Sequence, residues 1–325
     1  MTLPAPVRER AAVPGATAPR EAVACLACGG REQVEVARSR TQMAPPTEAF
    51  QWVACARCGL VYLNPRVPAD QIDRYYRDYV PHRGPGAWGR WAPLVRTSED
   101  RVDRARLATL RRLGPLGPSQ VVLDVGCGRP SFLRRVVRET GARGVGTDFD
   151  ASGWRHDPEV REGLELHAGL LEELPLRGPF DRITLWQVLE HLYDPVATLR
   201  FLRGLAGPST RLVIEVPDHA GLTRRWHGAE WAGYHTPRHT AAYTPQTLAR
   251  LLEAAGWRVE RQYQWGTLDP YLLHWLSRQE RAGRDWSAPL EGSFVPFLLG
   301  KMLWTPLGLL ERWVPLGFQT AIAAA

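Results

Sequence analysis

The sequence predicts an α/β protein built on a doubly wound, mainly parallel sheet, with a small four-cysteine metal domain ahead of it. From Val121 onward, short apolar runs alternate with segments whose apolar residues recur at helical spacing, the pattern of a sheet covered on both faces. An acid and two glycines, Asp124-Val125-Gly126-Cys127-Gly128, follow directly on the apolar run Val121-Val122-Leu123. Four of the five cysteines fall in two pairs, Cys25-x-x-Cys28 and Cys55-x-x-Cys58.

Residues 1–21 are rich in Ala, Pro and Arg and lack the apolar core of a signal peptide, so they are expected to be a disordered tail. Residues 22–65 carry the cysteine pairs. Gly29 and Gly59 follow the second cysteine of each pair and permit the tight turn of a zinc knuckle. Cys25, Cys28, Cys55 and Cys58 are therefore the expected ligands of one structural zinc, a zinc ribbon with all four positions filled by cysteine and none open for catalysis. Two disulfides or redox-active pairs are the competing readings; the first suits an oxidising compartment and the second a thioredoxin-like βαβ context, which is missing here. So short a segment buries too little apolar surface to fold unaided, and metal binding would supply the difference.

Residues 66–97 read as a linker helix and loop, with a short helix over Ala69 to Tyr79 carrying Tyr75, Tyr76 and Tyr79, then a Gly-, Pro- and Trp-containing loop or lid over Pro81 to Pro93. A surface linker that packs its two tryptophans between domains fits the same residues. Residues 98–325 form the main domain. Arg101 to Leu113 has helical periodicity through Val102, Leu107 and Leu110 and leads into the first sheet strand. The Gly turn after that strand allows the backbone to approach a ligand closely, and the amides of the helix beginning near Phe132 favour an anionic group. Gly144-Val145-Gly146-Thr147 then ends at Asp148, an acid placed to accept hydrogen bonds from two ribose hydroxyls. A nicotinamide enzyme would place an acid similarly.

Asp194-Pro195 caps a helix carrying Leu199, Leu202 and Leu205; Arg211 to Val216 is the next strand; and Thr244-Pro245 opens a helix stopped by Gly256. Trp257 to Trp265 and Phe318 to Ala323 read as the last two strands. Between them, at about 267–316, lies an insertion with helices expected around Tyr271 to Arg278 and Phe297 to Trp313. It could cover the active site, mediate a homodimer, rest on a membrane surface or simply buttress the core.

The segment Phe180 to Pro195, with Trp186-Gln187-Val188-Leu189-Glu190-His191-Leu192-Tyr193-Asp194-Pro195 at its end, together with the Gly turn, resembles the class I S-adenosylmethionine-dependent methyltransferases. The likeness is to a bacterial branch with an N-terminal zinc ribbon and a Leu-Glu-His-x-x-Asp-Pro sequence, and it covers roughly residues 98 to 267. It implies a Rossmann-like sheet of seven strands, the last two forming an antiparallel hairpin. It also implies S-adenosyl-L-methionine as cofactor, its methionine end held by Asp124, Gly126, Cys127 and Gly128. Asp148 would take the ribose, Phe149, Gly169 and Leu170 would border the adenine, and Gln187 would meet the cofactor at the end of the fourth strand. The family usually has a third glycine where this chain has Pro130, a residue the first turn of a helix accepts.

Removing a proton from an acceptor hydroxyl or acidic carbon suits histidine. His191, at the carboxyl edge of the sheet, is the leading catalytic residue, with Glu190 to orient it; capping the loop is the structural alternative for both. His239 belongs to a second cluster, His219, His227, His235, Arg238 and His239, whose Pro237-Arg238-His239 and Tyr243-Thr244-Pro245 resemble the family's acceptor-pocket segment. The expected reaction is methyl transfer, on oxygen, to a small-molecule, glycan or lipid-linked acceptor. An RNA methyltransferase using the ribbon to grip substrate, and a binding protein with a decayed cofactor site, are the alternatives.

The net charge of +7 would ordinarily suggest nucleic acid, yet the basic residues are arginines apart from Lys301 and are interleaved with acids along the chain. The most apolar tract, Phe294 to Phe318, is interrupted by Lys301, Glu311, Arg312 and three prolines, so no uninterrupted run approaches the about 18 residues a membrane span needs. A cytoplasmic protein is expected, with peripheral contact at the inner membrane face through the insertion as a further expectation.

Overall fold

Two sheets share one chain, and the smaller borrows its last strand from the larger domain. The computed structural model describes residues 19–44, 48–76 and 80–325. Most of the expected N-terminal tail, and Tyr79, lie outside them.

The ribbon consists of β1 (Gln33–Arg40), β2 (Ala49–Cys55) and β3 (Val61–Leu63), paired antiparallel. Cys25 to Gly30 and Cys55 to Leu60 are matching knuckles: the Cys25 amide donates to the Gly30 carbonyl, the Cys55 amide to that of Leu60, and Gly29 and Gly59 take φ of 71° and 78°. Ala69–Tyr75 is a 3-10 helix rather than α-helix, and a second 3-10 stretch runs over Val80–Trp91, bent at Gly84 and Gly89. Trp88 and Trp91 in this stretch pack on Trp275 and Phe294, ring centroids 5.8 and 4.6 Å away, so the loop is tied to the C-terminal insertion. α1 (Ala92–Arg111) starts earlier than the periodicity suggests, because Pro93, read from sequence as the end of a loop, occupies the first turn of the helix.

The catalytic sheet follows the expected alternation: β4 (Val121–Val125), α2 (Ser131–Thr140), β5 (Arg143–Asp148), α3 (Pro158–Arg161), β6 (Leu164–Ala168), β7 (Phe180–Trp186), α4 (Pro195–Gly204) and β8 (Ala206–Pro217). Next come α5 (Leu222–His227), β9 (Ala241–Ala242), α6 (Pro245–Ala254), β10 (Arg258–Tyr263), α7 (Pro270–Arg281), α8 (Phe294–Gly308) and β11 (Phe318–Ala324). The seven-stranded order is β10-β11-β8-β7-β4-β5-β6. Every pair from β8 to β6 is parallel, while β11 runs antiparallel between β8 and β10. Helix boundaries obey local chemistry: Pro130 stands at the N-cap of α2, Asp194 accepts the Ala197 amide at the start of α4, and Thr244 forms a capping box with Thr247 at α6.

β9 is where the two units join. Its two residues pair antiparallel with Val61 and Tyr62 of β3, and the Leu63 amide donates to the Thr240 carbonyl. One core runs through the junction: Cys25, Cys55, Leu60 and Tyr62 pack with Leu248, Leu251 and the sheet residues Ile183 and Leu185. Arg238 is buried and its guanidinium donates to the carbonyls of Tyr75 and Gln42, which ties the ribbon and the segment after it to the loop before β9.

Candidate active site

The carboxyl ends of β4, β5, β6 and β7 gather the residues singled out for the cofactor. After β4 the chain turns through Gly126 and Gly128, at φ of 68° and 50°, a region that favours glycine. A Cβ on Gly126 would stand 2.5 Å from Cγ2 of Val188, so this glycine lets the β7 loop close onto the turn. A Cβ on Gly128 would meet nothing within 4 Å, which leaves that backbone open to a ligand. The Gly128 amide donates to Oδ2 of Asp148 at 2.8 Å, and the Cys127 amide to the Thr147 carbonyl at 2.9 Å. Asp124 lies beneath the turn, its carboxylate accepting from Oγ1 of Thr184 at 2.6 Å. Burial pushes the Asp124 carboxyl up to about 7, against the opposing pull of Thr184 and Arg106.

Burial also raises Asp148, although the amides of Gly128, Asp150 and Phe149 favour its charged form. The Gly169 amide donates to the Asp148 carbonyl at 3.0 Å, so β6 delivers Gly169 and Leu170 to the same corner. Phe149 and Leu170 are 65% and 52% exposed, apolar surface beside an acid and a glycine turn, which is what an adenosine group needs. Gln187 takes a φ of 61°, unusual for a residue with a side chain, and donates through Nε2 to Oε1 of Glu215 at 3.2 Å. Glu215, at the end of β8, also accepts the Thr267 amide and hydroxyl. The sequence carries no local signal for that buried acid; only the assembled sheet puts it next to Gln187.

Beyond Gln187 the three expected catalytic residues converge. Glu190 and His191 sit in a 3-10 turn, Leu189–His191, and the His239 ring meets that of His191 at a centroid distance of 4.5 Å. His239 Nδ1 donates to the Gly233 carbonyl at 2.9 Å, which fixes its tautomer and leaves Nε2 as acceptor, 3.1 Å from Nδ1 of His235. Burial, with His191 adjacent, holds His239 well below the usual histidine range, so it is neutral at pH 7. Burial pushes Glu190 up to about 8, and among the described residues neither of its carboxylate oxygens has a hydrogen-bond partner. Its Oε1 lies 3.9 Å from His239 Nε2. His191 Nδ1 is 3.0 Å from the hydroxyl of Tyr76, a residue of the segment joining ribbon to sheet. The Tyr-rich stretch is visible in the sequence, but its reach to a histidine far along the chain is not.

The rest of the second histidine cluster disperses. His219 bonds the Tyr234 hydroxyl and His227 faces His274 of α7, each 3.1 Å apart, away from His191. Only His235, in a left-handed conformation at φ 45°, and His239 join the site.

The pKa of Glu190 gives a pH-dependent expectation. In the unfolded chain it would ionise near 4.5, whereas the native residue keeps its proton up to about 8. Native protein therefore holds a proton the unfolded chain lacks across that window, and Glu190 costs stability progressively as pH rises through it. Glu190→Gln removes the cost, so its melting temperature relative to wild type is expected to rise between pH 5 and pH 8. An unchanged difference across that range would mean that the native carboxyl ionises as it does in the unfolded chain.

The four cysteines also come together. Sγ of Cys25 and Cys58 are 3.4 Å apart, those of Cys28 and Cys55 are 3.6 Å apart, and all four lie within 4.8 Å of one another. A disulfide needs roughly 2.05 Å. Four sulfurs around zinc at about 2.3 Å stand roughly 3.8 Å apart, so the cluster fits a structural zinc. Burial opposes ionisation of Cys28, yet the Gly30 amide and Arg57 bring its thiol down to about 6.

Residues 98–262 match the methyltransferase domain family. The chain belongs to that family. A methyltransferase fold explains the sheet order and the place of the glycine turn, and the class I S-adenosylmethionine-dependent resemblance stands. The chain is similar to ubiquinone biosynthesis O-methyltransferases of Aeromonas salmonicida, 29% identical over 147 residues, 42% of this chain and 61% of the relative. That of Xanthomonas axonopodis pv. citri is 29% identical over 161 residues, 46% of this chain and 66% of the relative. The chain thus spans less than two thirds of these curated relatives. Among solved structures, geranyl diphosphate C-methyltransferase from Streptomyces coelicolor A3(2) is 15% identical, with a TM-score of 0.47, covering 74% of this chain and 87% of that one.

Proposed function

We propose that the protein transfers a methyl group from S-adenosyl-L-methionine to a small-molecule, glycan or lipid-linked acceptor, at oxygen, with His191 as general base. The observation that carries this reading is the hydrogen bond from Gly128 to Asp148: it joins the glycine turn to the expected ribose acid in one corner, with exposed Phe149 and Leu170 beside it.

When bound, S-adenosylmethionine supplies a methyl carbon activated by its sulfonium. The chain's part is positional and electrostatic. Gly126, Cys127 and Gly128, supported from below by Asp124, hold the methionine end, Asp148 orients the ribose, and Gln187, fixed by Glu215, closes the inner wall. His191 stands where the sheet's carboxyl edge meets the histidine cluster, with Tyr76 on Nδ1. His191 would accept the proton of the acceptor hydroxyl on its imidazole as the methyl group is transferred, the electron pair of the broken S–CH3 bond staying with the cofactor's sulfur. Calorimetry should show S-adenosylmethionine binding in the micromolar range, roughly 8 kcal/mol, and Asp148→Ala should weaken it at least about tenfold, near 1.4 kcal/mol. No binding by the wild type would favour a decayed site.

A divalent cation held by Glu190, His191 and His239 is a second reading, favoured by ligand atoms within 4.8 Å of one another and by the unpartnered Glu190 oxygens. Added magnesium or zinc would then raise the melting temperature of wild type and leave Glu190→Gln unmoved.

A further inference from the structure

The insertion between β10 and β11 leaves apolar surface that the described residues do not cover. α8 reads Phe-Val-Pro-Phe-Leu-Leu-Gly-Lys-Met-Leu-Trp-Thr-Pro-Leu-Gly, apolar all round, a composition ordinarily enclosed by a core or by lipid. One side is packed: Phe297 and Trp304 lie 5.2 and 5.8 Å from Tyr271, and Trp304 lies 4.5 Å from His274. The other side is open. Leu299, Met302 and Leu303 are exposed along the helix, Leu303 by 84%, and Leu309 and Trp313 continue the surface past its end, Trp313 by 76%. Trp226 of α5 adds a second exposed indole, edge-on to Trp304 at 5.8 Å.

The charges at the margins decide what covers it. Arg225 adjoins Trp226, Arg278 lines the hollow beside Trp226 and His274, and Arg312 adjoins Trp313. All three are exposed, and among the described residues none forms an ion pair. The nearby acids are spent: Asp269 is paired with Lys301 at 2.8 Å, Glu230 faces Arg281 at 3.7 Å, and burial pushes Glu311 up to about 8. A two-fold contact between copies would set the same cations against each other. An anionic surface meets them with opposite charge.

We propose that α8 and the turn after it dock on an anionic phospholipid bilayer, the helix lying in the interfacial plane with its exposed leucines among the upper acyl chains. Trp226 and Trp313 would sit at headgroup depth, where indoles concentrate, with the three arginines at the phosphates. Among the described residues no helix is long and apolar enough to cross a membrane, which fits a helix that lies on the bilayer.

The test is sedimentation of the full chain with sucrose-loaded vesicles of phosphatidylcholine, with or without about one-third phosphatidylglycerol, at low and high salt. Wild type should pellet at least about tenfold more with anionic vesicles at low salt and be largely released at high salt. Leu303→Glu/Trp313→Glu changes exposed residues only and should abolish pelleting; unchanged S-adenosylmethionine affinity and circular dichroism would show that it folds. Arg225→Glu/Arg312→Glu keeps the apolar face and should lose the anionic preference. Trp304 and Leu307 are unsuitable probes, because both are partly buried and Trp304 packs on Tyr271 and His274. Wild type remaining in the supernatant, or equal binding to both vesicles, would overturn the proposal. So would a concentration-dependent dimer by light scattering that Leu303→Glu dissociates and vesicles do not compete with.

Discussion

His191→Ala is expected to leave S-adenosylmethionine affinity within about twofold while slowing methyl transfer by about 100-fold or more, the usual range for losing a general base. The separation follows from the layout. Most of the proposed cofactor residues sit on the turns after β4, β5 and β6, with Gln187 at the end of β7, whereas His191 lies past Gln187, beside His239 and Tyr76. A truncation there takes away a proton acceptor without touching Asp148 or the glycine turn. Tyr76→Phe tests whether the base is held in place: it should lower kcat, by less than His191→Ala does, and leave S-adenosylmethionine affinity unchanged, since it removes only the hydroxyl at His191 Nδ1. If His191→Ala keeps its activity while His239→Ala is dead, the proton goes to the other ring.

Cys25→Ser is expected to release one zinc per chain and to cost much more than a ribbon's local order. Structural zinc in small peptides contributes on the order of 10 kcal/mol to folding, and here the effect should spread. β3 of the ribbon pairs with β9, the Leu63 amide holds the Thr240 carbonyl, and the Thr240 amide and hydroxyl hold the Glu190 carbonyl. His239 is the residue before that strand's anchor. Methyl transfer should therefore fall with metal content although no cysteine of the cluster faces the cofactor turn. Elemental analysis, near-ultraviolet circular dichroism and turnover, measured on the same preparations, check this. Zinc-free protein containing disulfides and retaining full turnover would reject both the metal and the coupling.

What the sequence made legible was whatever is encoded locally. Apolar runs, the glycine turn before α2, proline and threonine caps and the paired cysteines each announce themselves within a few residues, and the sheet order follows once the family is recognised. The site's inner wall was legible only in part. Glu190 and His191 could be nominated because titratable residues follow a strand end, and His239 through the likeness of Pro237-Arg238-His239 to the family's acceptor-pocket segment, but nothing in the neighbourhood of Tyr76 says that it reaches His191. Glu215 reads as one more polar residue in a strand until β8 is laid beside β7. β9 is two alanines, too short and too plain to read as a strand without its partner β3. α8 was expected as a helix, but a segment apolar on every side gives no periodic signal of which side packs.

β11 is a strand whose partners both precede it. All seven of its residues are buried, and it pairs with β8 on one side and β10 on the other. Without it, β8 and β10 would each show an open edge, a template for pairing with a neighbouring chain. A variant in which Phe318–Ala324 cannot form the strand would thus hold nearly every residue of the site and still present two adhesive edges.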